Sequence, residues 1–376
     1  MSGPGEASVS TASGNGEGRY VLNPYLTVTH CGSNELLIKH GRRSRFSRVL
    51  RDEGGTKLLG RLLRHLNEPL SLTDLEQRRI VRESEREDAS KLVDFLVKEQ
   101  ILIPPQRYLP HVYLGMQFGG EGVEQLGART VGFLGSGFLG SRIARELARL
   151  RVKRLVLLDD RRAAPADRDY FDIAPDLVEA QAPYVAIVQK ALSTHDGGSE
   201  VEVIEGGLGD KKALTRLFES CDFVVAALEF FSPAAFHEAN EVALTVGKPW
   251  ISVYVDGSEA LIGPIYVPGE TLCYNEFEIQ NEASSRLQAD YLIYKETLAS
   301  ARLDAPHLVL PPFLSVVSGW ATTAALSFLT SGQSFVVGRC VRVDFERFAV
   351  DYQDVLRLPR CPACAAQRPA YRHTLL

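Results

Sequence analysis

The 376-residue sequence has little that would tie it to nucleic acid or to a lipid surface. Lysine and arginine number 42 against 47 aspartates and glutamates, a net charge of −5. No basic excess therefore draws the chain toward polyanions. No stretch reads as an unbroken apolar run of the roughly 20 residues a membrane helix needs. The first residues lack the charged-then-apolar order of an export signal, so a cytoplasmic protein is expected. No internal repeat is visible. No Ser or Cys sits in a nucleophile motif, and the eight histidines show no metal-ligand spacing. Cysteine is sparse: Cys31, Cys221, Cys273, Cys340, Cys361 and Cys364. In a reducing compartment the close pair in Cys361-Pro362-Ala363-Cys364 points to metal or redox chemistry rather than a disulfide. Cys31, Cys221 and Cys340 read as small apolar packing residues.

What is present is enough for two or three domains, with 45% hydrophobic residues to build cores. Residues 1–18 are rich in Gly, Ser and Ala, with only Val9 as a larger apolar residue, and read as a disordered tail. Residues 19–106 read as a small winged helix-turn-helix. Apolar stretches at 26–30 and 36–39 flank Cys31-Gly32-Ser33-Asn34, a hairpin pattern. Leucines at 58, 59, 62, 63 and 66 mark a helix, Ser71 or Thr73 can cap a second, and 83–100 makes a third. Ile101-Leu102-Ile103 then runs into Pro104-Pro105, which ends the unit. Such a fold commonly lays its third helix in the DNA major groove. Here that helix opens Glu83-Ser84-Glu85-Arg86-Glu87-Asp88, which would repel phosphates. An exposed hairpin edge beside a helix instead suits a peptide added as a strand. Arg42, Arg43, Arg45 and Arg48, just past the hairpin, could meet its carboxylates. The glycine-spaced segment 107–129 reads as a loose link.

The stretch 130–160 organises the rest. Val131–Leu134 is a short apolar run, followed at once by Gly135-Ser136-Gly137-Phe138-Leu139-Gly140. Ile143, Ala144, Leu147 and Leu150 then keep a helical period, and a second apolar strand ends in Asp159-Asp160. This is a strand–GxGxxG–helix–strand–acid unit. Gly135 permits the tight turn, Gly137 a close phosphate, and Gly140 close packing of helix on strand. Asp159, 24 positions after Gly135, suits a ribose. Strands and helices alternate through residue 257, which implies an α/β, Rossmann-like, doubly wound and mostly parallel sheet. Ligands of such sheets sit at the strand C-termini, where the glycine loop, Asp159 and Glu229 all fall. A short strand then leads into Cys273. Residues 321–329 read as an apolar helix and 341–345 as a strand.

Taken together, the βαβ unit, its acids, the Gly263-Pro264 to Pro268-Gly269 to Cys273 segment and the terminal Cys-Pro-Ala-Cys resemble the ThiF-type, ubiquitin-activating-like adenylating superfamily. The front unit resembles the winged-helix recognition element of ribosomal peptide natural-product pathways. The combination, ending in Leu356-Arg357-Leu358-Pro359-Arg360-Cys361, is similar to the leader-binding, ThiF-like partners of azoline-forming cyclodehydratases. The resemblance covers about residues 20–365. It implies ATP on Gly135, Gly137 and Gly140, with Asp159 on the ribose. It offers Arg168 and Lys190 as phosphate ligands and Glu229 in place of a Mg²⁺-binding Asp. In the Ser-Asn-Leu-x-Arg-Gln segment of active relatives only Arg168 survives, and Pro165 stands at the Asn position. The resemblance also implies a structural zinc on two CxxC pairs. Cys361 and Cys364 keep one pair; Cys273-Tyr274-Asn275-Glu276 keeps one thiolate of the other, with Glu276 offering an oxygen instead.

The expected function is capture of the leader of a ribosomally made precursor peptide through residues 19–106. A separate YcaO-type cyclodehydratase would receive it, in azole or thiopeptide-type bacteriocin biosynthesis. Residues 107–376 would form the nucleotide-binding-fold domain, with a homodimer as the expected assembly. The alternative is an active ATP-dependent adenylyltransferase that activates a carboxylate or amide of the peptide. A nicotinamide oxidoreductase is a third reading, because Asp159 also suits NAD; it lacks a catalytic His or Tyr-Lys pattern.

Overall fold

The structure is a computed structural model. It describes residues 18–32, 34–44, 46–119, 122–165, 167, 173–193, 198–284, 288–300 and 309–365. The expected tail falls almost wholly outside them. The chain divides into two compact units, Met1–Gln117 and Phe118–Leu376.

The first unit begins with β1 (Val21–Leu22) and three strands, β2 (Thr27–His30), β3 (Glu35–Lys39) and β4 (Ser47–Arg51). These three form an antiparallel sheet in the order β2-β3-β4. The expected hairpin is thus extended by a strand. Arg48, expected in a loop, lies on β4 opposite Ile38; Arg45 lies outside the described residues. Three helices follow: α1 (Leu58–His65), α2 (Leu72–Gln77) and α3 (Arg86–Lys98), the last preceded by a 3-10 turn at Glu83–Glu85. Buried Leu58, Leu59, Leu62 and Leu63 give α1 its inner face. Ser71 caps α2, accepting the Asp74 N–H, while the Asp74 carboxylate takes the Ser71 N–H in return. Leu36 and Ile38 of β3 meet these leucines and Ala89, Val93 and Leu96 of α3 in one core. β5 (Leu102–Ile103) pairs antiparallel with β1 and closes the unit.

Residues 107–129 are not a loose link. They contain α4 (Leu109–Phe118) and a 3-10 turn, Glu124–Ala128. Buried Val112 and Leu114 hold α4 in place despite Gly115. Tertiary burial here overrides weak helix propensity. The two compact units divide after Gln117, so all of α4 but Phe118 falls in the first.

The second unit starts with β6 (Thr130–Leu134), α5 (Phe138–Arg149) and β7 (Arg154–Leu158). Next come α6 (Pro175–Glu179), α7 (Tyr184–Ser193), β8 (Glu200–Ile204), α8 (Lys211–Ser220), β9 (Phe223–Leu228), α9 (Pro233–Val246) and β10 (Trp250–Asp256). It ends with β11 (Glu259–Tyr266), α10 (Tyr274–Ser284), α11 (Gln288–Ser300), α12 (Pro311–Ser331), β12 (Arg339–Asp344) and β13 (Ala349–Asp354). The eight strands form one sheet, β13-β12-β11-β10-β9-β6-β7-β8. β10, β9, β6, β7 and β8 are parallel; β11, β12 and β13 continue it antiparallel. β6 and β9 are buried along their whole length, as strands covered on both faces must be. From β6 the chain runs outward to β7 and β8, then returns to β9 on the other side of β6. The β6–β9 junction is the topological switch point, where such sheets bind ligands.

One expectation is corrected by α12. Its 21 residues are long and apolar enough, by length and composition, to cross a bilayer. Ser315, Ser318, Gly319, Thr322 and Thr323 interrupt the run and hide its length in the sequence. In the fold α12 packs against α5 and β11, with Leu314, Val317, Ala321, Ala324 and Ala325 buried, as a core helix does.

Candidate functional site

The glycine loop connects β6 to α5 at the switch point. Gly135 has φ +89°, and a Cβ there would strike the Ala227 carbonyl at 2.4 Å. A Cβ on Gly140 would lie 2.1 Å from the Gly135 carbonyl, so the helix could not approach the strand with any larger residue. Both glycines do what their places in the motif require.

The loop's polar groups are already engaged. The Asp159 Oδ2 accepts the Ser136 N–H at 2.7 Å and its hydroxyl at 3.2 Å. Oδ1 accepts the Arg161 N–H at 2.9 Å. Glu229, just beyond β9, reaches across and accepts the Leu139 N–H on Oε1 at 2.7 Å. A Cβ on Gly137 would lie 2.3 Å from its Oε2, so that glycine makes room for a side chain of the same chain. Burial pushes the Glu229 carboxyl above its ordinary value, against the opposing pull of Arg161 and the Leu139 N–H.

Arg161 was not singled out by spacing, because Arg162 beside it looks the same in the sequence. It supplies positive charge to this cluster. Its guanidinium lies 3.0 Å from Asp167 Oδ1 and 4.1 Å from the centroid of the Tyr184 ring. Its Nε is buried without a hydrogen-bond partner among the described residues. Lys190 lies exposed on α7, and among the described residues no contact joins it to the loop. Arg168 lies outside the described residues. As arranged, the Leu139 N–H is taken within the chain, Asp159 Oδ2 accepts two hydrogen bonds and Oδ1 one, so the loop as it stands offers a nucleotide phosphate no Leu139 N–H.

A second cluster fits a metal. Cys273, Glu276, Cys361 and Cys364 are all buried, and their ligand atoms lie within 4.8 Å of one another. Cys273 Sγ and Cys361 Sγ are 3.7 Å apart. Two sulfurs each about 2.3 Å from a tetrahedral zinc stand about 3.8 Å apart. Cys364 Sγ lies 3.3 Å from Glu276 Oε2, close to the sulfur–oxygen spacing of such a site. Glu276 opens α10 and is fixed from outside: Cys273 N–H donates to Oε2 at 2.8 Å and Leu358 N–H to Oε1 at 2.5 Å. Asn275 Nδ2 donates to Cys361 Sγ at 3.4 Å. A zinc held here would pin the C-terminal segment to the start of α10. Elsewhere, His237 pairs with buried Glu278, which Lys295 also meets at 3.0 Å.

In the first unit β2 and β4 are both edge strands of the sheet, and among the described residues β4 pairs only with β3. Arg48 and Leu50 pair with Ile38 and Leu36, so they share the core-side face of the sheet. Arg48 reaches Glu99, immediately after α3, at 3.3 Å and lies over the Phe46 ring. Leu92, Phe95 and Glu99 are spaced i, i+3, i+7, one stripe of the helix. Phe95 is 43% exposed although large and apolar. The acidic start of this helix is partly neutralised, with Glu85 on Arg61 at 2.7 Å and Glu87 on Lys91 at 2.6 Å.

A doubly wound sheet with a glycine loop at its switch point and a buried Cys/Glu cluster near its C-terminus defines the class. The chain belongs to the ThiF family, whose profile matches residues 112–364. No curated protein matches its sequence. Among solved structures it resembles E. coli MccB (TM-score 0.64, 16% identity, 94% of this chain and 99% of that one). E. coli MccB with AMPCPP and MccA gives TM-score 0.63 at 17% identity, covering 92% and 99%. PaaA gives 0.62 at 17%, covering 89% and 99%. At these identities the likeness is one of fold.

Proposed function

We propose that the chain binds the leader of a ribosomally synthesised precursor peptide and presents it to a separate YcaO-type cyclodehydratase, in the cytoplasm, in azole- or thiopeptide-type bacteriocin biosynthesis. The observation that carries this is the free edge of β4 beside the Leu92–Phe95–Glu99 stripe. A peptide strand added there would gain backbone hydrogen bonds along β4, with every second side chain facing Leu92 and Phe95. The recognition unit is the winged-helix-like residues 19–106, and the ThiF-type unit is the scaffold that carries it. The similarity to MccB, solved in complex with N-formylated MccA, supports a peptide ligand. Zinc on Cys273, Glu276, Cys361 and Cys364 would be structural, and a homodimer is the proposed assembly.

The test is a fluorescence anisotropy titration of the full chain with labelled leaders of the short precursors encoded beside its gene. Saturable binding is expected; its absence for every such leader would sink the reading. Adenylation is the competing reading, supported by the glycine loop and by MccB solved with ATP. Precursor-dependent exchange of pyrophosphate into ATP would establish it in place of simple presentation.

A further inference from the structure

The glycine loop and Glu229 stand in a relationship the motif does not predict. Gly137 is the N-cap of α5 and has no side chain to satisfy the first free N–H groups of the helix. Those groups, with the positive end of the helix, are what an anionic ligand would use. Here the Leu139 N–H is taken by Glu229 Oε1 at 2.7 Å, and Oε2 lies where a Cβ of residue 137 would be. Glu229 therefore acts as an N-cap supplied from the end of the neighbouring strand. Its length matters: an aspartate at 229 is one methylene shorter and would reach less far over Gly137. Asp159 closes the other side of the loop by taking the Ser136 N–H. Arg161, the positive charge of this cluster, is held by Asp167 and by the Tyr184 ring.

We propose that the Glu229 side chain is a built-in occupant of the glycine loop, so that it and a nucleotide phosphate exclude one another at the Leu139 N–H. A Mg²⁺-binding carboxylate at 229 would have the opposite effect on Mg·ATP, and the two roles predict changes of opposite sign when the carboxyl is removed in Glu229→Ala. If Glu229 blocks the loop, shortening or removing it improves nucleotide binding. If it holds magnesium for the nucleotide, removing it weakens binding. The inference concerns the second unit alone and does not depend on leader recognition.

The experiment is calorimetric titration of the full chain with Mg·ATP, as wild type, Glu229→Asp and Glu229→Ala. Wild type is expected to bind weakly, and both variants at least tenfold more tightly. Affinity unchanged or weakened in a Glu229→Ala chain that still binds leader as wild type does would overturn the proposal, whatever Glu229→Asp shows, as would micromolar binding by wild type. Glu229→Asp keeps the carboxyl and guards against a folding defect in Glu229→Ala. Binding of a labelled leader by the same preparations is expected to stay as in wild type. Its loss would point to damage elsewhere, and its failure in wild type would count against leader recognition instead.

Discussion

Arg48 Nε lies 3.3 Å from Glu99 Oε2 and joins β4, an edge strand of the first unit, to the end of its third helix. The pair is half-exposed, so its own contribution to stability is small, about 0.2–1 kcal/mol. Its effect is to fix the position of the strand edge relative to the stripe that carries Phe95. Phe95→Asp places a charge on that stripe without disturbing the core. Leader affinity is expected to fall at least tenfold, a loss of about 1.4 kcal/mol or more. The melting temperature should hardly change, because Phe95 is 43% exposed. Anisotropy and thermal denaturation on one preparation check both. Undiminished affinity would remove α3 from the recognition surface.

Gly137 and Glu229 should be energetically coupled. In wild type, Gly137→Ala drives a Cβ to 2.3 Å from Glu229 Oε2, and relieving such overpacking costs about 1–3 kcal/mol. In a Glu229→Ala background the same substitution should cost far less. A double-mutant cycle by urea denaturation should give a coupling of about 0.5–3 kcal/mol. Additive effects would mean that the two side chains do not share the space.

The raised Glu229 carboxyl has a consequence with a definite sign. Its ordinary value is 4.5, and burial in the folded state raises it. The folded chain then holds this proton where the unfolded chain has released it. Stability from this group is therefore full below the unfolded value and is lost as pH rises through the folded value. Glu229→Gln, which cannot titrate, should lack that decline. Wild type minus variant stability, measured by urea denaturation from acid to neutral pH, should fall as pH rises. A flat or rising difference would contradict the assignment.

Metal content is expected to be about one zinc per chain in purified protein, read by elemental analysis. Structural zinc binds with roughly 10 kcal/mol or more and survives purification. Cys364→Ser and Glu276→Ala should each lower the content and the melting temperature. Zinc-free wild type that melts as high as the zinc-loaded chain would show that the cluster packs without metal.

Much of this was legible in the sequence, for physical reasons that differ from element to element. The glycine loop shows itself because Gly135 and Gly140 are required by backbone geometry, and the apolar runs around them are uninterrupted. Cys361 and Cys364 show themselves because two thiols that close have few other uses, while Cys273 is marked only by what the resemblance implies. Glu276 was marked only by standing where a thiolate was missing. β4 and β13 were missed because each carries few apolar residues among charged and polar ones, as edge strands do, and so little hydrophobic signal; Tyr352 of β13 is 52% exposed. α12 looked short because hydroxyl side chains interrupt it, yet several of them bond back to their own helix, Thr322 to Ser318 O at 2.7 Å among them. The link at 107–129 looked loose because its glycines outweighed the two residues that bury α4, Val112 and Leu114. The sequence places Glu229 at the strand C-termini with the glycine loop, but not its carboxylate over Gly137. That position follows from the chain crossing between β8 and β9, which only the fold reveals.

Leader recognition by strand addition is tested most directly by hydrogen exchange of the full chain with and without a saturating precursor leader. The account predicts slowed exchange in residues 46–51 and 92–99, where β4 would gain a partner strand and α3 would be covered. Saturable binding with protection confined to residues 118–376, and none along β4, would contradict it.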